Sequence, residues 1–231
     1  MKEIVKFILY SLEFVILSML AFSQTDSLKG GEFSVMAMDN GVKIIYNSTG
    51  TSFQFDVHCD NFKPIEAENM LFMVDDMLFQ ITPVPLQAIF GREAKGINDS
   101  LALIYHFAYE ARNIRNSISG NYKINNEMIT TDSTGLINFW SFKMPHSEMN
   151  KDDSLTKDIA MQMYATTRIG DKVLMFSSAL IEENSPEQVK HLFLDSFASL
   201  QYSNKKYDLD KIKKKLLEKA KQKKESKIEE N

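Results

Sequence analysis

The stretch from Asp158 to Leu200 constrains the fold more than any other part of this chain. Ile159 to Arg168 alternates, with Ile159, Met161, Met163 and Ala165 to one side, which is the period of a strand with one buried face. Gly170-Asp171 then offers a two-residue turn whose first position tolerates positive φ. Val173-Leu174-Met175-Phe176 returns with apolar groups on both faces, as a strand covered from both sides requires. Ser185-Pro186-Glu187-Gln188 follows: a serine N-cap, proline at the first helical position, and a glutamine to close a capping box. Behind it Val189, Leu192, Phe193, Phe197 and Leu200 recur at helical spacing, so one helix face must dock on a sheet.

The remaining segments extend this plan. Phe33 to Met38, Val42 to Tyr46 and Phe53 to Cys59 read as three strands, separated by Asp39-Asn40-Gly41 and Ser48-Thr49-Gly50. Met70 to Thr82 reads as a second hairpin split by Asp75-Asp76 and ended by Pro83 and Pro85; the alternative, a helix after Pro64, fits poorly across the aspartates. Gly91 to Asn98 is a loop, and Asn98-Asp99-Ser100 caps a helix running to about Asn116. The spacing predicts a buried face at Leu101, Ile104, Tyr105 and Ala108, with His106, Glu110 and Asn113 on the polar side. Tyr122 to Thr130 can add a strand, and Leu136 to Met144 forms one around Trp140 that Pro145 stops. His146 to Lys157 is a charged loop. Short connections demand antiparallel pairing. The expected class is therefore α+β: an antiparallel sheet of six or more strands packed by helices near 99–116 and 186–200.

Charge is unevenly placed along the 231 residues. Residues 205–231 hold eleven lysines against six acids, whereas residues 1–23 cancel. The net −4 therefore splits into a tail of +5 and a 24–204 body of −9. An acidic body argues against a nucleic-acid surface, which needs clustered cations. In the tail, Ile212, Leu216, Leu217 and Ala220 make a narrow stripe, so a frayed, solvated helix is expected there. Residues 1–23 resemble an export signal, with Lys2 and Lys6, an apolar run from Phe14 to Phe22, and small residues before a cleavage point after Ser23. Glu13 interrupts that run, and the alternative is an uncleaved anchor, for which Phe7 to Phe22 is short. The expected organisation is a signal (1–23), one α+β domain (24–204) and a Lys-rich tail (205–231).

Few residues suggest chemistry. Gly91-Arg92-Glu93-Ala94-Lys95-Gly96 has the glycine spacing of a phosphate loop, but Ile97-Asn98 stand where lysine and a hydroxyl must be. His106 and Glu110, one turn apart, could pair as ligands or as a base with its orienter, and equally as a solvated face. His191 and Asp195 repeat that spacing. His58-Cys59-Asp60 gathers three reactive types, but neighbouring strand residues point to opposite faces, so His58 is badly placed to activate Cys59. The single cysteine excludes an intrachain disulfide and a cysteine-based zinc site. No cofactor motif is present.

From Trp140 to Gln201 the pattern resembles the PsbP-like fold family. The shared features are the Trp-bearing strand Trp140-Ser141-Phe142-Lys143-Met144-Pro145, the hairpin returning through Val173 to Leu180, and a helix ending Phe197-Ala198-Ser199-Leu200-Gln201. The resemblance implies an αβα sandwich and a lumenal, periplasmic or secreted accessory or binding role without catalysis. The Ala-Phe-Ser-Gln signal end is similar to those common in Bacteroidota. No family site residue carries over. Two functions are thus expected in competition. One is an exported binding or accessory protein engaging a protein or peptide at sheet edges and the 83–98 loop, with Pro83, Pro85, Gly91 and Gly96. The other is a hydrolase or metal-dependent enzyme using His106 and Glu110, with His58 as a further candidate. Acidic charge favours a cationic or neutral partner over nucleic acid, and membrane contact is expected only through an uncleaved signal.

Overall fold

The computed structural model describes residues 31–66, 69–94, 96–118, 122–144, 159–181 and 185–229. The expected export signal with its cleavage point after Ser23 and the 146–157 loop lie outside these residues.

Two antiparallel sheets build the molecule. The smaller has the order β1-β2-β3-β11, formed by Gly31–Met38, Gly41–Ser48, Ser52–His58 and Gln201–Ser203. The larger has the order β4-β5-β6-β10-β9-β8-β7. Its strands are Phe62–Glu66, Leu71–Val74, Met77–Pro85, then Ile124–Thr131 (β7), Gly135–Lys143 (β8), Ile159–Ile169 (β9) and Lys172–Ile181 (β10). Among the described residues four helices accompany them: α1 (Leu86–Phe90), α2 (Asp99–Ser117), α3 (Pro186–Ala198) and α4 (Leu209–Glu229). The fold is α+β, with antiparallel sheets packed by helices.

The central hairpin forms as its sequence dictates. β9 pairs with β10 from Ile169↔Lys172, and Gly170 turns the corner at φ 52°. β5 and β6 form the second hairpin, with both Asp75 and Asp76 at positive φ (45° and 66°), the geometry of a two-residue primed turn. β6 does not stop at the prolines, as expected, but runs through Pro83 to Pro85 beside β10. The reason lies in β5, whose pairing ends at Leu71↔Gln80. Beyond Gln80, β6 has an open side, and a missing N–H there costs no ladder bond. β4 and β11, and the short helical turns of Leu86–Phe90 and Gly91–Ala94, were not expected from the sequence.

Successive β10 residues serve two cores. Phe176 faces the small sheet and α3, with ring centroids 5.0 Å from Phe55 and 4.2 Å from Phe197. Met175, on the other face, packs with Trp140, Tyr164 and Ile114 of α2. α2 and α3 thus cover opposite faces of the large sheet. α3 carries the expected capping box, with the Gln188 side chain accepting from the Ser185 N–H at 3.3 Å, and buries Val189, Leu192, Phe193 and Phe197. The tail is one continuous helix, α4, alongside β1. Leu209, Ile212, Leu216 and Ala220 are half-buried, and Tyr207 just before it exchanges two hydrogen bonds with the Asn47 side chain, at 2.7 and 3.0 Å. Leu217 stands exposed.

Candidate functional site

α2 is fixed at its start by two devices. Asn98 Oδ1 accepts from the Leu101 N–H at 2.8 Å, and the Arg168 guanidinium donates to the Ile97 carbonyl and pairs with Asp99 at 3.2 Å. Four helical residues rise about 6 Å, close to two residues of strand, so every fourth residue of α2 meets alternate residues of the sheet. Ala102 and Leu103 pack with Val84, Leu86 and Val173, and Ile114 packs with Trp140, Phe142 and Tyr164. His106 and Glu110 fall between these apolar ends, over the middle of the sheet.

This reverses the expected facing of the helix. His106 is fully buried and Glu110 is 3% exposed, whereas Leu101, Ile104, Tyr105 and Tyr109 are 40%, 48%, 53% and 39% exposed. The physical cause is twofold. α2 is apolar nearly all round, because Ala102, Leu103, Phe107, Ala111 and Ile114 line the opposite side, so spacing alone does not choose its rotation. The sheet face beneath it is unusually polar: Gln80, Asn138, Gln162, Thr166 and Ser177 are all buried there. The polar side of α2 therefore turns inward.

His106 Nε2 lies 3.8 Å from Glu110 Oε1, an ion-pair separation too long for a hydrogen bond. Neither ring nitrogen of His106 nor Oε1 of Glu110 has a protein hydrogen-bond partner. The same holds for both amide atoms of Asn138, Trp140 Nε1 and Gln162 Nε2 on the same face. Burial pushes the His106 imidazole down to about 4 and the Glu110 carboxyl up to about 8. Burial, and secondarily Glu110, also raises the Tyr164 hydroxyl. At neutral pH the pair is therefore uncharged: a neutral imidazole beside a protonated acid. Such a pair can store a proton. It presents no nitrogen or oxygen to a substrate at the surface.

The other candidates lie elsewhere. His58 sits exposed at the end of β3 in the small sheet, its Nδ1 3.4 Å from the Asn40 carbonyl, so it does not join His106. Cys59 is half-buried, its Sγ donates to the Val57 carbonyl, and burial with nearby Asp75 and Asp60 raises its thiol, which opposes thiolate chemistry. Asp60 instead donates its backbone N–H to the Asp75 carboxylate at 3.0 Å. His191 and Asp195 are both exposed on α3. Gly91, Arg92 and Gly96 line a shallow depression of about 750 Å³ with Arg168 and Asp171, whose carboxylate opposes the arginines. Among the described residues, no three His, Cys, Asp or Glu side chains gather as a metal ion would need.

Two features were not read from the sequence: the apolar outer face of α2, and a groove between β1 and α4. The signal for the first was present in the apolar residues on both sides of α2. No protein-family model, curated protein or solved structure matches the chain.

Proposed function

We propose that the chain is an exported, non-enzymatic binding or accessory protein that engages a protein partner through the outer face of α2. The observation that carries this reading is the reversal of α2: its two candidate catalytic groups are sealed inward while Leu101, Ile104 and Tyr105 are exposed. A cluster of large apolar side chains on one exposed helix face is a recognised mark of an interaction surface. Phe90 extends it, its ring 5.5 Å from that of Tyr105. Arg112 and Arg115 continue the exposed side toward the C-terminal end. Export rests on the positive start, apolar run and small residues of 1–23, and among the described residues no helix is long and apolar enough to cross a membrane. The resemblance of 140–201 to PsbP-like proteins supports the same reading.

The enzyme reading keeps one argument, the displaced pKa values of His106 and Glu110. It requires α2 to lift before substrate could touch either group, and His58 lies in another layer. A photo-crosslinking residue at position 105, with position 191 on α3 as control, tests the proposal in the native envelope. The expected result is a discrete adduct from 105 that is absent from 191. Adducts of equal yield at both positions, or none at 105, would overturn it.

A further inference from the structure

A second surface lies on the far side of the molecule, independent of α2. A groove of about 900 Å³ runs between the small sheet and α4. One wall is Ser34 through Asn40 without a gap. One face of a strand shows only alternate residues, so an unbroken run of five β1 residues, Ser34 to Met38, means that the free edge of β1 opens into the groove. The other wall is α4, through Lys213, Leu216, Leu217, Lys219 and Ala220, and the floor holds Lys43, Asp56 and His58.

β1 is a long, regular edge strand, as is β7 at the edge of the larger sheet. It pairs with β2 over eight residues with no register shift, contains no proline, and has Glu32 as its one charge. By contrast β4 carries Pro64 and an irregularity and β11 has three residues, whereas β7 differs from β1 in that its one charge, Glu127, is tied to Lys190 at 3.3 Å. Long, regular, weakly charged edges are what proteins normally protect, because their backbone groups invite another strand. Two apolar side chains stand open beside this edge, Val35 at 37% and Leu217 at 56% exposure.

The charges choose the occupant. Lys43 and Asp56 neutralise each other by direct contact. Lys213 and Lys219 form no ion pair among the described residues and face Asp39 across the groove. The −9 of the body sets the distant field, but the tail's lysines set the local one. We propose that this groove takes an extended acidic peptide, which adds as a strand to β1 and sets its carboxylates against Lys213 and Lys219. Val35, which pairs with core-facing Ile44, receives its alternate apolar side chains on the side away from the carboxylates.

The test uses the full chain and two fluorescent octapeptides, one alternating valine with aspartate, the other valine with lysine. Anisotropy at low salt should show saturable binding of the aspartate peptide alone. K213E/K219E should weaken it by about tenfold and admit the lysine peptide. Val35→Asp should weaken the aspartate peptide similarly. Amide exchange of the wild-type chain adds a readout that needs no variant: protection should appear across 34–40 when the aspartate peptide binds. Equal binding of both peptides, no binding of either up to millimolar, or protection confined to other segments would each overturn the proposal.

Discussion

Burying a histidine and a glutamic acid under one helix costs stability that two apolar side chains of similar size would not. The cost depends on pH in a definite direction. Glu110 is raised from 4.5 to about 8, so its contribution is intact below pH 4.5 and is lost as pH climbs through 8. His106 is lowered from 6.5 to about 4, so its contribution is intact above pH 6.5 and is lost as pH falls through 4. Between 4.5 and 6.5 the two slopes oppose each other and stability holds level. From pH 6.5 to 8 only Glu110 acts, and its burial removes about 2 kcal/mol. Urea unfolding across this range should show that alkaline decline, and Glu110→Gln should remove most of it. A Glu110→Gln profile parallel to wild type would mean that the carboxyl is solvated.

At the scale of elements, Phe176 is the side chain on which the small sheet, β6 and α3 converge, with ring contacts to Phe55, Phe79, Phe193 and Phe197. Phe176→Ala should cost roughly 3–5 kcal/mol in thermal or urea unfolding. Tyr105→Ala, on the outer face of α2, should shift stability by no more than about 0.5 kcal/mol while reducing the partner's cross-linking to a probe at position 104. The contrast between these helices explains what the sequence could disclose. α3 was legible because its cap, Pro186 and apolar stripe agree, leaving one face to bury. The β9–β10 hairpin was legible because Gly170 and strand alternation are local signals. The facing of α2 was not, because it depends on Asn138, Gln162 and Thr166, which share one face only once two strands are in register. The continuation of β6 through Pro83 likewise depends on where its neighbour β5 ends.

Across the whole molecule, the two sheets are joined by more than apolar packing. The turn after β2 meets the turn between β9 and β10: Asp171 accepts from the Thr51 N–H at 3.0 Å, and Thr51 Oγ1 accepts from the Asp171 N–H at 3.2 Å. Burial alone would raise the Asp171 carboxyl, but bonds from Thr51 and Lys172 outweigh it and hold it below its usual range. Gly170 makes this approach possible, since it adopts positive φ and a Cβ there would lie 2.2 Å from Thr51 Oγ1. Gly170→Ala should destabilise the protein by roughly 1–3 kcal/mol, read as a lowered melting temperature. The sheets so fixed carry α2 on one side and the β1–α4 groove on the other, which leaves two separate surfaces for recognition and a sealed polar layer between α2 and the large sheet. That seal is the central claim, and an NMR titration of the His106 ring carbons tests it most directly. The His106 signals should stay those of a neutral imidazole from pH 8 down to about 5 and move only near 4. Titration of His106 near 6.5, its ordinary value, would contradict it, because the ring would then stand in water where a substrate could reach it.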